Sequence, residues 1–454
     1  MPSIPESRTL VASTEQILNT IRNNATQDYK NYVPKAVAGD DSSIRAIGSV
    51  LMDFPTLQNE FVNALVNRIG RVVVTSKLFD NPLVMFKKGM LEYGETLEEI
   101  FVDIAKGYQY NPAEAEQTLF KREKPDVHTA FHVMNFQKYY VATIQQEDLK
   151  NAFLSMGGVT DLITKIINQI YNGATYDEFQ TMKYLLAVHI LNGRLYGVTI
   201  PVGTNAVEQI AIEIKRVSND FTFMKRKYNI AGVANFSSKD SQYLISTSEF
   251  DAKMGVKVLA NAFNMNEVQF LGHRVLVDSF ADLDRERLDF LFKDNANYRK
   301  ITDDEIEALD AIPAVLVDKD WFMVFDNRQY FTQQQNGRGL YWQYFYHVWK
   351  TFSVSPFANA VVFVPGDQSI DSVTVSPSTA SVNVGQGIQL TANVESSNFA
   401  DKTVKWSIND NNSNITNSGY LTVNNKSANT ITVTATSIFD DTVKGTATIT
   451  VTGK

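Results

Sequence analysis

Between Ala314 and Val364 the chain reads AVLVDKDWFMVFDNRQYFTQQQNGRGLYWQYFYHVWKTFSVSPFANAVVFV, a block so rich in aromatic and β-branched residues that long paired strands are its natural outcome. Turn chemistry stands at Asp318-Lys319-Asp320, at Asp326-Asn327 and at Asn336-Gly337-Arg338-Gly339. In the run from Leu340 to Ser353, a strand puts Leu340, Trp342, Tyr344, Tyr346 and Val348 on one face. Tyr341, Gln343, Phe345, His347, Trp349 and Thr351 take the other. Both faces are bulky, so a core should cover one and a neighbouring domain or subunit the other. Pro356 interrupts the run, and Phe357 to Val364 makes a final apolar strand.

Several classes of function are excluded early. A chain of 454 residues needs two or more domains, and 44% hydrophobic with 20% charged residues is ordinary for a folded protein. There is no cysteine, which removes disulfides, thiolate catalysis and sulfur-rich metal sites. A net charge of -8 argues against a protein whose main task is gripping nucleic acid. No apolar run reaches the eighteen or so residues of a membrane span, so no membrane partner is expected. MPSIPESRTLVASTEQ lacks a basic-then-apolar leader pattern, from which folding in a cytoplasm-like compartment is expected. The motifs of serine hydrolases, zincins, phosphate-binding loops and dinucleotide sites are absent, so no catalytic residue and no cofactor is expected. His128 and His132 stand i, i+4, but nothing beside them completes a metal set.

Ser13 to Gln16 starts an amphipathic helix carrying Ile17, Leu18 and Ile21. Leu57, Phe61, Leu65 and Ile69 predict a helix from 56 to 69, followed by a β-rich run from Arg71 to Ser76. From 81 to 137, charged residues interleave with single aromatics, which predicts an extended, projecting element. Three helices follow. One carries Leu162, Ile163, Ile166, Ile167 and Ile170 and stops at Asn172-Gly173; the second, about 176 to 192, is capped by Thr175 and Glu178; the third follows Asn205. Arg216, Lys225, Arg226 and Lys227 form a basic patch on a solvated face. Gly255 to Gly272 reads as helix leading to a strand at His273 to Val277, and Ser279 to Asp310 as a charged looped insertion.

Pro365-Gly366-Asp367 marks a boundary. Beyond it Ser, Thr, Val and Asn dominate, in short alternating segments at 372–394, 404–408, 419–423, 430–437 and 445–452, the pattern of a small β-sandwich. Trp406 is its expected central core residue.

The runs LVDKDWFMVFDN (316–327), RGLYWQYFYHVWKTFSVSPFANAVVFV (338–364) and VLANAFNMNEVQFLG (258–272) resemble the major capsid proteins of phi-29-like short-tailed bacteriophages. Weaker similarity runs from about Ala25 through Gly193. Val375-Ser376-Pro377, Gly385, Trp406, Gly419-Tyr420-Leu421 and Val433 to Thr436 resemble the bacterial immunoglobulin-like group 2 domain. The resemblance implies an α+β, Hong Kong 97-type (HK97-like) capsid fold over 1–367 and an all-β immunoglobulin-like domain over 368–454. It implies a virion protein that assembles with itself as pentamers and hexamers around a scaffolding protein. A portal at one vertex and enclosed double-stranded DNA, not read by sequence, are its other implied partners. The element at 81–137 then corresponds to an arm lying across an adjacent subunit, and the helix at about 176–192 to the spine. Lys87, Lys88, Lys121, Arg122, Glu123 and Lys124 become candidate inter-subunit contacts, setting register more than strength. Some members of the broader fold class crosslink such an arm between Lys and Asn; none is expected here. The alternative from another class is a secreted or tail-borne adhesin presenting the sandwich, which leaves the block at 314–364 unexplained.

Overall fold

The computed structural model of the protein describes residues 13–72, 79–91, 96–105, 107, 125–154, 158–202, 206–261 and 273–453. Up to Pro365 its strands are β1 (Lys87–Met90), β2 (Thr96–Val102), β3 (Val127–Val133), β4 (Phe136–Gln145), β5 (Tyr196–Ile200), β6 (Gln242–Thr247), β7 (His273–Val277), β8 (Ala314–Asp318), β9 (Phe322–Asn336), β10 (Tyr341–Val354) and β11 (Ala360–Pro365). One sheet has the order β1-β9-β10-β4, a second β5-β11-β8-β6-β7, and β2 pairs with β3 as a separate hairpin. In β10 the burial alternates as the residue pattern requires. Trp342, Tyr344, Tyr346 and Val348 are buried, and Tyr341, Gln343, Phe345, His347 and Trp349 are half-buried. Leu340 belongs to the turn instead, exposed and at φ 52°. The long hairpin turns where Asn336 Oδ1 accepts from the amides of Arg338 and Gly339. Asp326-Asn327 makes no turn. Trp349 faces Arg328 and Lys350 faces Asp326, so Asn327 is the extra residue of a β-bulge inside a continuous β9.

The five-stranded sheet is buried on both faces: every residue of β6 (QYLIST) and β8 (AVLVD) is buried, and apolar residues point to both sides at Leu244-Ile245 and at Ala314 to Val317. Ile245, Val315, Val317 and Val362 share one core with the N-terminal helices, the first sheet and the helix Gly158–Leu191. Leu244, Ala314, Leu316 and Phe363 share the other with the helices Ala206–Asp220 and Ser248–Asn261.

Local stop signals lose to burial in the long helix. It runs without interruption through Asn172-Gly173, where two helices are expected, because Ile170 and Ala174 straddle that pair inside one core. A mid-helix Gly costs only about 1 kcal/mol, less than the burial it would forfeit. Ser279 to Asp310 is not a loop: it holds helices Arg285–Phe292 and Asp303–Asp310, the second opened by a Thr302/Glu305 capping box. The N-terminal helix Thr14–Asn24 carries the expected Ser13/Gln16 box. The helix Pro55–Val72 overruns the start of the β-rich run read at Arg71; residues 73–78 and 262–272 lie outside the described residues.

The remainder is a sandwich of β12 (Ser369–Ser376), β13 (Thr379–Asn383), β14 (Gly387–Gln389), β15 (Thr391–Ser397), β16 (Val404–Ile408), β17 (Asn414–Ile415), β18 (Tyr420–Thr422), β19 (Thr430–Ser437) and β20 (Lys444–Thr452). Its centre is Leu390, Leu421, Ile431, Val433, Ala435 and Ile449. Trp406 is not that centre. It is half-buried because β16 is an edge strand, and its ring covers Gly419, where a Cβ would stand 2.9 Å from it.

The sandwich is seated on the rest of the chain. Lys402 donates its amide to the Gly193 carbonyl at 2.9 Å, and Asn398 Nδ2 donates to the carbonyls of Pro365 at 2.9 Å and Asp367 at 3.1 Å. Gly193 sits at φ 59°, where a Cβ would also meet the Ala400 carbonyl. Beside this seam Asp401 is buried, its carboxylate held among the described residues by Thr403, and burial pushes its pKa up to about 6. In the core shared by the first sheet and the helix Gly158–Leu191, burial pushes His189 down to about 4, with its Nδ1 on the Leu185 carbonyl and its ring edge-on to Trp321.

The two shifts have opposite consequences. Asp401 has a folded pKa above its unfolded one, so its ionisation opposes folding at pH above about 6 and ceases to do so near pH 4. His189 has a folded pKa below its unfolded one, so its contribution falls as pH drops from about 6.5 towards 4. Calorimetry at pH 7.5 and pH 5 should show the sandwich gaining stability on acidification while the rest of the chain loses it. Asp401→Asn should abolish the sandwich's gain and stabilise it at pH 7.5 by up to about 3 kcal/mol; a wild-type slope in that variant would refute the assignment.

Candidate assembly surfaces

At position 350 an ammonium occurs on the inward face of an otherwise apolar strand, and the fold meets it with carboxylates. Lys350 contacts Glu178, projected from the long helix, and lies 3.0 Å from Asp326 Oδ1 on β9 as an ion pair without hydrogen-bond alignment. Lys87, entering from β1, lies 3.0 Å from Glu178 and 2.7 Å from Asp326. Asn81 Nδ2 donates to Glu178 Oε1 at 2.8 Å. Two cations and two anions thus close on each other where β1 joins the sheet, all with side chains at most 17% exposed. Burial alone would raise both carboxyl pKa values, but Lys350 and Lys87 overcome it and hold Glu178 and Asp326 below the usual range. For Lys87 the burial penalty is likewise overcome, by Glu178 and Asp326, and its pKa is raised.

The β2–β3 hairpin springs from this root and is tied down along its inner face. His132 is bonded through Nδ1 to Ser353 Oγ at 2.8 Å and through Nε2 to Glu99 at 3.0 Å, while Ser355 Oγ donates to the other Glu99 oxygen at 2.7 Å. Phe101 stacks on Phe357, with centroids 5.4 Å apart. Arg226 grips both oxygens of Asp103 at 2.6 and 3.1 Å, and the two hydrogen bonds help keep that carboxyl ionised below its ordinary range against a desolvation penalty. Of the basic patch read on a solvated face, Arg226 is therefore engaged with the hairpin. His128 and His132 lie on β3. Asp103, Asp126 and His128 bring ligand atoms within 4.8 Å of one another, but the guanidinium already neutralises Asp103.

The outer face of the same hairpin is uncovered. Ile100, Val102, Val127, Phe131 and Val133 are each about half or more exposed, Phe131 at 62%. Alternation puts them all on one side of the two strands, an apolar surface with no partner in the described chain.

Of the candidate contacts, Lys87 and Lys88 are bound within their own subunit: Lys87 in the buried cluster, Lys88 to Asp320. Lys87 could reach a neighbour only by stranding Glu178 and Asp326. Lys121, Arg122, Glu123 and Lys124 lie outside the described residues. The sequence reading missed the roles of Glu178, Asp326 and Lys350. The available signal was parity, since Lys350 shares its strand face with Trp342, Tyr344, Tyr346 and Val348 and so requires a buried anion.

A long helix packed on one sheet, a second five-stranded sheet enclosed by helices, and a separate two-stranded hairpin make up the HK97-like fold of phage capsids. The capsid protein of Staphylococcus phage Andhra shares this fold, with a TM-score of 0.51 at 14% identity over 64% of this chain and 86% of that one. The chain belongs to the Phi29-like phage major capsid protein family, whose model matches residues 18–364, and a bacterial Ig-like domain of group 2 matches 369–451. The major capsid protein of Bacillus phage PZA is 38% identical over 434 residues, covering 94% of this chain and 90% of that protein. That of Bacillus phage GA-1 is 33% identical, covering 88% and 80%.

Proposed function

We propose that this capsid protein closes with copies of itself, as pentamers and hexamers, into the icosahedral head of a phage. Family membership carries the reading, and the uncovered apolar face of the β2–β3 hairpin fits it. The segment 81–137 is the arm that lies across a neighbouring subunit, rooted by the buried ion cluster and presenting the outer face of its hairpin. Residues 1–367 form the shell domain. Residues 368–454 decorate the outer surface and chiefly stabilise it. Assembly proceeds on a scaffolding protein with a portal at one vertex, and the enclosed double-stranded DNA is contained without sequence recognition, in keeping with the net charge of -8. The work is geometric, with no catalytic step.

The test is electron microscopy of the full chain expressed with and without the scaffolding protein of its phage, alongside a chain lacking 368–454. Uniform closed shells are expected from the full chain, and shells of reduced stability from the shortened one. Monodisperse subunits under every condition would overturn the reading; loss of all particles only in the shortened chain would overturn the decorative role alone.

A further inference from the structure

Sheet edges expose rows of backbone donors and acceptors, and folded proteins guard them with charge, proline, bulges or a covering segment. In the two sheets of the shell domain, nearly every edge is guarded. β1 carries Lys87 and Lys88, β4 carries Lys138, and β7 carries Arg274. β5 has no charge but is covered by the linker, where Gln368 lies so close that a Cβ on Gly197 would stand 2.0 Å from its Nε2.

The exception is the far half of β9. β1 pairs with β9 only at Val324 and Asp326, with one more bond from the Leu91 amide to the Asp326 carbonyl. Beyond the bulge at Asn327, β9 is bonded to β10 on one side, and no described residue pairs with its other side. One charge, Arg328, stands at the start of this edge; after it the stretch QYFTQQQN from Gln329 to Asn336 contains no charged residue and no proline, and Thr332 to Asn336 are exposed. Eight residues of strand span roughly 26 Å. Gln333 is bonded to Asn63 of the helix Pro55–Val72 and Asn336 to Tyr341, but Gln329, Gln334 and Gln335 have no partner among the described residues, and such amides beside a backbone edge suit an incoming extended segment with polar, uncharged side chains, which can bond to both.

We propose that the β9 edge from Gln329 to Asn336 is completed by an extended segment of a second copy of this chain, which adds a strand to the sheet. The occupant follows from self-assembly, so the inference rests on the shell reading above. An uncharged edge without a partner among the described residues is a pairing site or a hazard in a subunit that meets copies of itself, and this edge lies on the longest described hairpin.

Hydrogen–deuterium exchange on the full chain, as isolated subunits and as shells, reads the edge directly. About half of the amides in 329–336 point outward, and these should exchange about tenfold or more slowly in shells. Gln334→Pro and Gln335→Pro remove neighbouring amides that point to opposite sides of the strand. One should keep the subunit's melting temperature and cut shell yield about tenfold; the other should lower the melting temperature by breaking the bond to β10. Gln334→Ala and Gln335→Ala should assemble normally. Shells in which 329–336 exchanges as in the subunit, or an outward-facing proline that assembles at wild-type yield, would overturn edge pairing and leave the shell reading intact. Absence of shells from the wild-type chain overturns both.

Discussion

Lys350→Met is expected to destabilise the subunit by about 3 to 5 kcal/mol, the cost of leaving a buried charge without its partner. Methionine can fill the space of the lysine stem, so a cavity contributes little and the loss isolates the charge. Lys87 would remain alone between Glu178 and Asp326, side chains 5% and 14% exposed. The compensating variant follows: Glu178→Gln in the Lys350→Met background restores one cation to one anion and should recover more than half of the loss. The pH dependence has a definite sign. Both carboxyls have folded pKa values below their unfolded ones, so their stabilisation is complete above about pH 5 and is lost as pH falls below about 4. In Lys350→Met the stranded carboxylates should instead take up protons readily, and the gap between variant and wild type should narrow as pH approaches 4. Urea unfolding at pH 7.5 and 4.5 measures both effects; a variant within 1 kcal/mol of wild type at pH 7.5 would show that the cluster is solvated rather than buried.

The cluster also shows where the sequence was legible and where it was not. The alternation of β10, the cap at Ser13 and the sandwich strands are local patterns of period or capping, and they form where the residues indicate. What escaped depends on residues distant in the chain. Asn172-Gly173 signals a stop that the buried flanks override, and Thr302/Glu305 is a capping box hidden in a charged run that looks like loop. Trp406 is the bulkiest apolar residue of the sandwich, but its position on an edge strand keeps it half-exposed. Glu178 caps nothing, being inside a 34-residue helix; its partners Lys87 and Lys350 lie 91 and 172 residues away. Spacing along the chain carries no trace of such a pairing.

Phe131→Asp should leave the subunit's fold intact and suppress assembly. Phe131 is 62% exposed on the outer face of β3, so its loss removes little internal packing, and the melting temperature should stay within a degree or two of wild type. In a shell where the arm lies on a neighbour, the same ring is buried. Full burial of a phenylalanine contributes about 1.5 to 3 kcal/mol, and a carboxylate in its place must also be desolvated without a cation. With about 1.4 kcal/mol per factor of ten, the subunit concentration needed for assembly should rise at least about 100-fold. Glu98, directly across the ladder from Phe131 in the same subunit, faces the new carboxylate, a cost of at most about 1 kcal/mol that falls on the hairpin rather than on assembly. Phe131→Leu keeps an apolar contact and should assemble within about tenfold of wild type, which separates burial from shape. Light scattering against subunit concentration reads the threshold for each variant. If Phe131→Asp assembles at the wild-type threshold, the outer face of the hairpin is not an inter-subunit surface, and the arm's hold on its neighbour must lie beyond β2 and β3.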